Sequence, residues 1–221
     1  GNCPDWCTTG IILPIPKPDN PGSLNYSDKR PLTMLSELAK LPMKVLASRL
    51  SRIFNQQPWL LNSAQNGFIA EGNCDDLIRA LLDRIHDAQT SGSPLAVCAL
   101  DIKKAFDSAQ FWWIEKSLIR FGWPPTLIRF VMSYLRNAKS CVRCAHGDTE
   151  TFPLLCSVRQ GDPLSPLIFV MLMDALHDYV QDQADREKIG LRWGPPGFDN
   201  RTSTAGYADD TLLLANSPKE L

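Results

Sequence analysis

Three carboxylates are the residues of this chain best placed to do chemistry: Asp101, Asp209 and Asp210. Asp101 closes the apolar run 95–100, and Asp209 and Asp210 interrupt a second apolar stretch, 207–214. A charge set in β-forming apolar sequence is costly to desolvate unless it is paired or binds a cation. Two such interruptions predict strands that present carboxylates at a shared edge. Carboxylate oxygens are hard ligands and suit Mg²⁺, or Mn²⁺, better than a soft metal. Two ions held ~4 Å apart by such a set would stabilise both the attacking and the leaving oxygen of a phosphoryl displacement. Asp-Asp is also an ordinary hairpin-turn pair, so the pair by itself does not separate a metal site from a turn.

The seven cysteines offer a second chemistry. Cys3 and Cys7, and Cys141 and Cys144 with His146 nearby, have the spacing of zinc ligands. Residues 140–145 have the pattern of a strand, however, and alternation puts Cys141 and Cys144 on opposite faces. The number is odd and no secretory segment opens the chain, so buried free thiols are expected rather than a disulfide framework.

The elements that must position the carboxylates follow from periodicity. Residues 10–15 form a short strand cut by Pro14 and Pro16, and 18–22 a turn. Residues 33–54 have helical spacing, with Leu35, Leu38, Leu41, Val45, Leu46 and Leu50 expected inward and Pro42 expected to begin its stronger part. A second helix is expected over 75–90 with Leu77, Ala80, Leu81, Leu82 and Ile85 inward, then a buried strand over 95–102. Helices over 111–121 and 126–136 flank a Gly-Trp-Pro-Pro turn. A hairpin over 140–158 closes at His146-Gly147-Asp148, a long apolar helix covers 166–181, and two strands over 201–216 meet at Asp209-Asp210. The mixture predicts an α+β fold.

Composition sets the frame. The chain has 221 residues, 44% of them hydrophobic, which suits a globular chain with a sizeable core. Its longest apolar segment, 164–176, is too short to span a membrane and carries Asp174. A soluble nuclear or cytoplasmic protein, neither secreted nor membrane-bound, is the expectation. The net charge is −1, but residues 1–70 carry seven Lys or Arg against four Asp or Glu, so the front of the chain could hold phosphates.

Six blocks in order then give these features a common reading. Residues 100–108, Leu-Asp-Ile-Lys-Lys-Ala-Phe-Asp-Ser, resemble the first palm motif of reverse transcriptases. Residues 158–169, Val-Arg-Gln-Gly-Asp-Pro-Leu-Ser-Pro-Leu-Ile-Phe, resemble the second, and Tyr207-Ala208-Asp209-Asp210 the third. Upstream, residues 12–17, then Arg30-Pro31-Leu32, then Gln65-Asn66-Gly67-Phe68 resemble the fingers blocks of non-LTR (LINE-type) retrotransposon enzymes. Many relatives have Tyr directly before the Arg-Pro pair, whereas Tyr26 here is separated from it by Ser27, Asp28 and Lys29.

The resemblance implies a right-hand polymerase fold: fingers over 1–95, palm over 96–112 and 159–221, and helices and a hairpin over 113–158 between the palm motifs. The palm would be a small antiparallel sheet backed by helices. By motif, Asp101, Asp209 and Asp210 would ligate two divalent ions. Phe106 would exclude a ribose 2′-hydroxyl, and Gln160, Gly161, Tyr207 and Ala208 would border the nucleotide. Lys17 and Arg30 would grip its phosphates, Arg143 and Arg159 are further phosphate candidates, and Gln65, Gly67 and Phe68 would lie by the template. The implied partners are an RNA template, a DNA primer and deoxynucleotides. The chain starts at Gly1 and stops eleven residues after Asp210, so a fragment without a thumb, synthesising weakly or not at all alone, is expected. A group II intron maturase-like enzyme, a palm repurposed to bind nucleic acid without catalysis, and a zinc-stabilised module stay open.

Overall fold

The computed structural model describes residues 4, 7–23, 25, 28–69, 72–193 and 200–221, with the side chains of 192, 193 and 200 excepted. Cys3, Tyr26 and Ser27 lie outside them. In chain order the elements are β1 (Thr9–Pro16), β2 (Lys29–Met34), α1 (Glu37–Gln56), α2 (Cys74–Ser91), β3 (Ala96–Leu100), α3 (Ala105–Ser108), α4 (Phe111–Arg120), α5 (Pro125–Arg136), β4 (Lys139–Cys144), β5 (Gly147–Asp148), β6 (Phe152–Pro153), α6 (Ser165–Glu187), β7 (Leu191–Trp193), β8 (Asn200–Thr202), β9 (Thr204–Tyr207) and β10 (Asp210–Ala215). The architecture is α+β, as the sequence predicts. The chain divides into two units, each discontinuous: residues 1–50 with 104–169, and 51–103 with 170–221. Each unit thus draws on segments that the sequence reading assigns to different regions.

In the first unit β1 lies between β2, antiparallel, and β4, parallel. Pro14 and Pro16 do not cut β1 short. They sit in the part paired with β2 alone, beyond the Thr9–Ile12 stretch that also pairs with β4, where the missing N–H breaks no second ladder. Of the far arm of the expected 140–158 hairpin only the two-residue β6 forms, and Gly147 and Asp148 of the expected turn pair with β4 as β5. Helices α4 and α5 match the sequence reading closely, and Ile114, Leu118, Val131 and Leu135 are buried. Arg159 is buried as well. Its Nη1 donates to the Thr8 carbonyl at 2.8 Å and its guanidinium stacks 4.5 Å over the Tyr134 ring, whose hydroxyl donates to Asp162. Arg159 is therefore a structural residue and not an exposed phosphate contact. Arg143 is exposed and doubly bonded to Asp148.

Two helices depart from the periodicity. Thr33 and Met34 join β2, and α1 begins at Glu37, so Pro42 lies inside the helix. Its buried face is Ala39, Met43, Leu50 and Phe54, whereas Leu38, Leu41 and Val45 are exposed. Helix α2 is capped at both ends. Asn73 Oδ1 accepts from the Asp75 N–H at 2.8 Å, and Gly92 closes the end in a left-handed conformation. No α2 residue is fully buried: of its expected inward face, Leu77, Leu81 and Ile85 are partly covered, and Ala80 and Leu82 are exposed. Cys141 is buried and Cys144 exposed, as alternation requires, and the six described cysteines are free thiols.

The second unit holds the three-stranded sheet β3-β10-β9, antiparallel throughout. Strand β3 is less buried than its apolar run implies, with Val97 and Leu100 exposed. Within this unit, the α6 residues Val170, Met171, Leu172 and Met173 are buried, each contributing about 1.5–3 kcal/mol of apolar transfer. Two polar side chains of α6 are buried with them, Asp174 and His177. His177 Nδ1 meets Thr204 Oγ1 of β9 at 2.9 Å, which ties helix to sheet. Among the described residues, no helix is long and apolar enough to cross a membrane.

Burial drives His177 down to about 4 from its ordinary 6.5, partly opposed by the charge of Asp178. The unfolded chain takes up a proton near 6.5 that the folded chain refuses until about 4, so stability falls as pH drops through that window. The loss should reach on the order of 3 kcal/mol. Urea denaturation at pH 7 and pH 4.5 should show it, and His177→Gln should reduce the difference by more than half. An unchanged pH dependence in that variant would refute the assignment.

Candidate active site

The end of the three-stranded sheet gathers the carboxylates. Leu100 of β3 is opposite Thr211 of β10, and the next residue outward on each strand is Asp101 on one and Asp210 on the other. Tyr207 of β9 is opposite Asp210, which leaves Ala208 and Asp209 as the two central residues of a tight hairpin turn. Ala208 has φ +59, and Asp209 does not have a positive φ. A positive φ at the first central position alone is the pattern of a type II′ turn, one of the two that suit the twist of paired strands. The three carboxylates therefore come from adjoining strand ends, as the two interruptions of apolar sequence predict.

Their electrostatics agree with this arrangement. Burial pushes the Asp209 carboxyl above the ordinary range; a hydrogen bond from its own backbone opposes the shift, and the charges of Asp210 and Asp101 reinforce it. Like charges brought together in this way suit a cation-binding site. Among the described residues, no group of three or more His, Cys, Asp and Glu side chains is placed to hold a metal ion. The donor set nonetheless fits a divalent ion: it is all carboxylate, lies at one sheet end and is partly exposed.

The turn is held from below by residues 61–67. Gln65 is 1% exposed. Its Oε1 accepts from the N–H groups of Ala208, at 2.9 Å, and Gly67, at 2.8 Å, while its Nε2 donates to the Ala208 carbonyl at 3.1 Å. The backbone continues the pairing: Asn66 N–H donates to the Gly206 carbonyl at 2.9 Å, and Gly206 N–H to the Ala64 carbonyl at 2.7 Å. A Cβ on Gly67 would stand 2.1 Å from the Ala208 nitrogen, so only glycine fits there. Asn62 ties this segment to α6, its N–H donating to Asp174 and its Nδ2 to Asp178 at 2.7 Å. Gln65 and Gly67, expected beside a template, are thus buried against the turn, because their polar groups and lack of bulk serve the hairpin. Phe68 is exposed, with φ +56.

The residues expected at the nucleotide lie in the first unit, apart from Tyr207 and Ala208. Lys17 and Arg30 are both exposed at the tip of the β1–β2 ribbon. Arg30 is opposite Ile15, and Lys17 N–H extends the ladder to the Asp28 carbonyl at 3.0 Å, so alternation puts both cations on one face. The same β2 holds the Gln160-Gly161 loop, where Thr33 N–H donates to the Gln160 carbonyl at 2.7 Å. Gly161 has φ +108, and a Cβ on it would lie 2.5 Å from the Thr33 carbonyl oxygen. The close backbone approach that this glycine permits is therefore made to β2. Phe106 stacks on Phe169 with centroids 5.1 Å apart and planes at 11°, and its carbonyl accepts from Val158 N–H at 2.9 Å.

Sequence reading missed several supports: Gln65 as the partner of the turn, Thr33 under the Gln160-Gly161 loop, Phe169 behind Phe106, and Asp174, Asp178 and His177 on α6. The one local signal was a charge and a histidine set in the apolar run that forms α6.

Residues 15–221 match the family described as "Reverse transcriptase (RNA-dependent DNA polymerase)". The chain is 29% identical over 221 residues, its whole length, to the "Retrovirus-related Pol polyprotein from type-1 retrotransposable element R2" of Nasonia vitripennis, covering 20% of that protein. It is 28% identical over 220 residues to the R2DM polyprotein of Drosophila melanogaster, covering 98% of the chain and 19% of that relative. The chain thus spans about a fifth of the length of the curated relatives it matches. Among solved structures, telomerase from Candida albicans in complex with a fragment of telomeric RNA superposes with a TM-score of 0.61 at 15% identity, over 99% of this chain and 40% of that one, a likeness of fold. The six motif blocks, the carboxylate-bearing hairpin and these matches agree: the chain belongs to the reverse transcriptase (RNA-dependent DNA polymerase) family, with non-LTR retrotransposon Pol polyproteins as its relatives.

Proposed function

We propose that this chain carries the reacting-centre residues of an RNA-directed DNA polymerase, which adds deoxynucleotides to a DNA primer 3′-hydroxyl on an RNA template and releases pyrophosphate. The observation that carries this reading is the convergence of Asp101, Asp209 and Asp210 at one sheet end, where burial, and after it the charges of Asp210 and Asp101, raise the Asp209 carboxyl. Asp101 and Asp209, assisted by Asp210, would hold two divalent ions, Mg²⁺ or Mn²⁺. When bound, such ions supply charge stabilisation for the attacking and leaving oxygens.

The remaining residues bind and select. Arg30 offers a planar fork and Lys17 a point charge to the triphosphate. Gln160 and Gly161 border the nucleotide, as do Tyr207 and Ala208 at the turn. The ring of Phe106, backed by Phe169, excludes a 2′-hydroxyl and so favours deoxynucleotides. Phe68, exposed beside the buried Gln65 and Gly67, is the member of its block open to a template strand. Membership of a family described as RNA-dependent DNA polymerases supports RNA as that strand.

Three outcomes test the reading. In a polymerase containing this chain, Asp101→Asn and Asp209→Asn should each reduce primer extension at least ~10³-fold, equivalent to about 4 kcal/mol of transition-state stabilisation. Extension that survives both changes would sink the proposal. In this chain alone, Asp209→Asn should increase stability without added cation by on the order of 0.5 kcal/mol, because it removes a partly buried like charge. It should also abolish any melting-temperature rise caused by Mg²⁺. Phe106→Val in the polymerase should lower discrimination against ribonucleotides by about 10²-fold, and unchanged discrimination would remove Phe106 from that role.

A further inference from the structure

The hairpin turn that carries Asp209 has an unfavourable residue at its first central position. Ala208 adopts φ +59. A positive φ costs an L-residue with a Cβ roughly 1–2 kcal/mol, and glycine is the usual occupant of this position in a type II′ turn. Ala208 is buried, at 5% exposure, so water does not satisfy its backbone. One side chain satisfies both of its polar groups, the amide of Gln65, 143 residues away in sequence. The Gln65 carbonyl oxygen takes the Ala208 N–H, and the Gln65 NH₂ gives to the Ala208 carbonyl. A planar amide presents an acceptor and a donor side by side, as a neighbouring strand would. Glutamate has no donor and methionine has neither group.

The clamp itself is built in. Gln65 is 1% exposed, and its oxygen also accepts from the Gly67 N–H. Its backbone neighbours are bonded to β9 on both sides, through Asn66 and Ala64 to Gly206. Gly67 lies against the Ala208 nitrogen with no space for a side chain. A glutamine that reads a nucleic-acid strand must reach solvent, and this one does not.

We propose that Gln65 is the positioning residue of the metal site: its amide locks the left-handed Ala208 and so fixes the peptide from which the Asp209 carboxylate projects toward Asp101 and Asp210. The role rests on the metal-binding reading above. Residues that orient a metal ligand typically affect affinity 10–100-fold when removed, roughly the scale expected here.

The test is a Mn²⁺ titration of the purified chain followed by electron paramagnetic resonance, with amide hydrogen exchange at Ala208 and Asp209 measured in parallel. Gln65→Met should weaken Mn²⁺ binding at least ~10-fold and remove the protection of the Ala208 amide. In an Ala208→Gly background the same change should weaken binding by less than ~3-fold, because glycine holds the conformation without help. A Gln65→Met chain that melts cooperatively and binds Mn²⁺ as tightly as the unmodified chain overturns the proposal, and so does an equal loss in both backgrounds. If Gln65→Met alone does not fold, the combination with Ala208→Gly decides: recovered folding supports the clamp, and continued failure overturns it. An unmodified chain whose Mn²⁺ binding is insensitive to Asp209→Asn would refute the metal-binding reading, leaving the clamp to be judged by Ala208 protection.

Discussion

Three carboxylates at one end of a small sheet repel each other, and the rest of the second unit can be understood as the frame that keeps them there. Burial raises the Asp209 carboxyl, and the charges of Asp210 and Asp101 add to the rise. Left to itself, a two-residue turn bearing adjacent charges would relax outward into water. Strand pairing resists this on both sides, since β10 is bonded to β3 and to β9 in continuous antiparallel register. Residues 61–67 resist it from below through Gln65, and α6 anchors those residues through Asp174 and Asp178. Buried polar groups are tolerable here because they are bonded to one another; a half-satisfied network would be worse than an apolar one.

The first unit solves a different problem with similar means. Lys17 and Arg30, the cations proposed to meet phosphate, stand exposed at the tip of a ribbon. The Gln160-Gly161 loop must keep a fixed place beside that ribbon, and a single backbone bond from Thr33 together with a glycine pressed on the Thr33 carbonyl achieves it. The Phe106 ring is kept in orientation by Phe169 and by the backbone bond to Val158. Nothing in a net charge of −1 announces this, because the sum over the chain hides the local excess of Lys and Arg near its start.

What the sequence makes legible is local. Asp101, Asp209 and Asp210 are conspicuous because each interrupts an apolar run, and α2, α4 and α5 are recognisable from periodicity and end signals such as Gly92 and the Pro124-Pro125 pair. Non-local constraints are not legible. The parallel pairing of β1 with β4 joins residues ~130 apart and has no turn signature. Pro14 and Pro16 read as strand breakers, yet they are harmless where β1 has one neighbour. In α1, Leu38, Leu41 and Val45 have helical spacing yet are exposed, while Ala39 and Met43 are buried beside Leu50 and Phe54, because the tertiary environment and not residue size selects the face. Gln65 shows the limit best. The motif locates it near the active centre, but only the structure shows that its amide faces the Ala208 backbone.

The central claim is that the ends of β3 and β10 form one divalent-cation site. Replacing Mg²⁺ with Fe²⁺ and generating hydroxyl radicals at the bound ion cuts the backbone near its ligands, and mass spectrometry of the fragments locates the cuts. The account predicts cleavage confined to the neighbourhood of Asp101 and of Ala208–Thr211, suppressed by excess Mg²⁺. Cleavage elsewhere in the chain, or cuts at only one of these two segments, would contradict it.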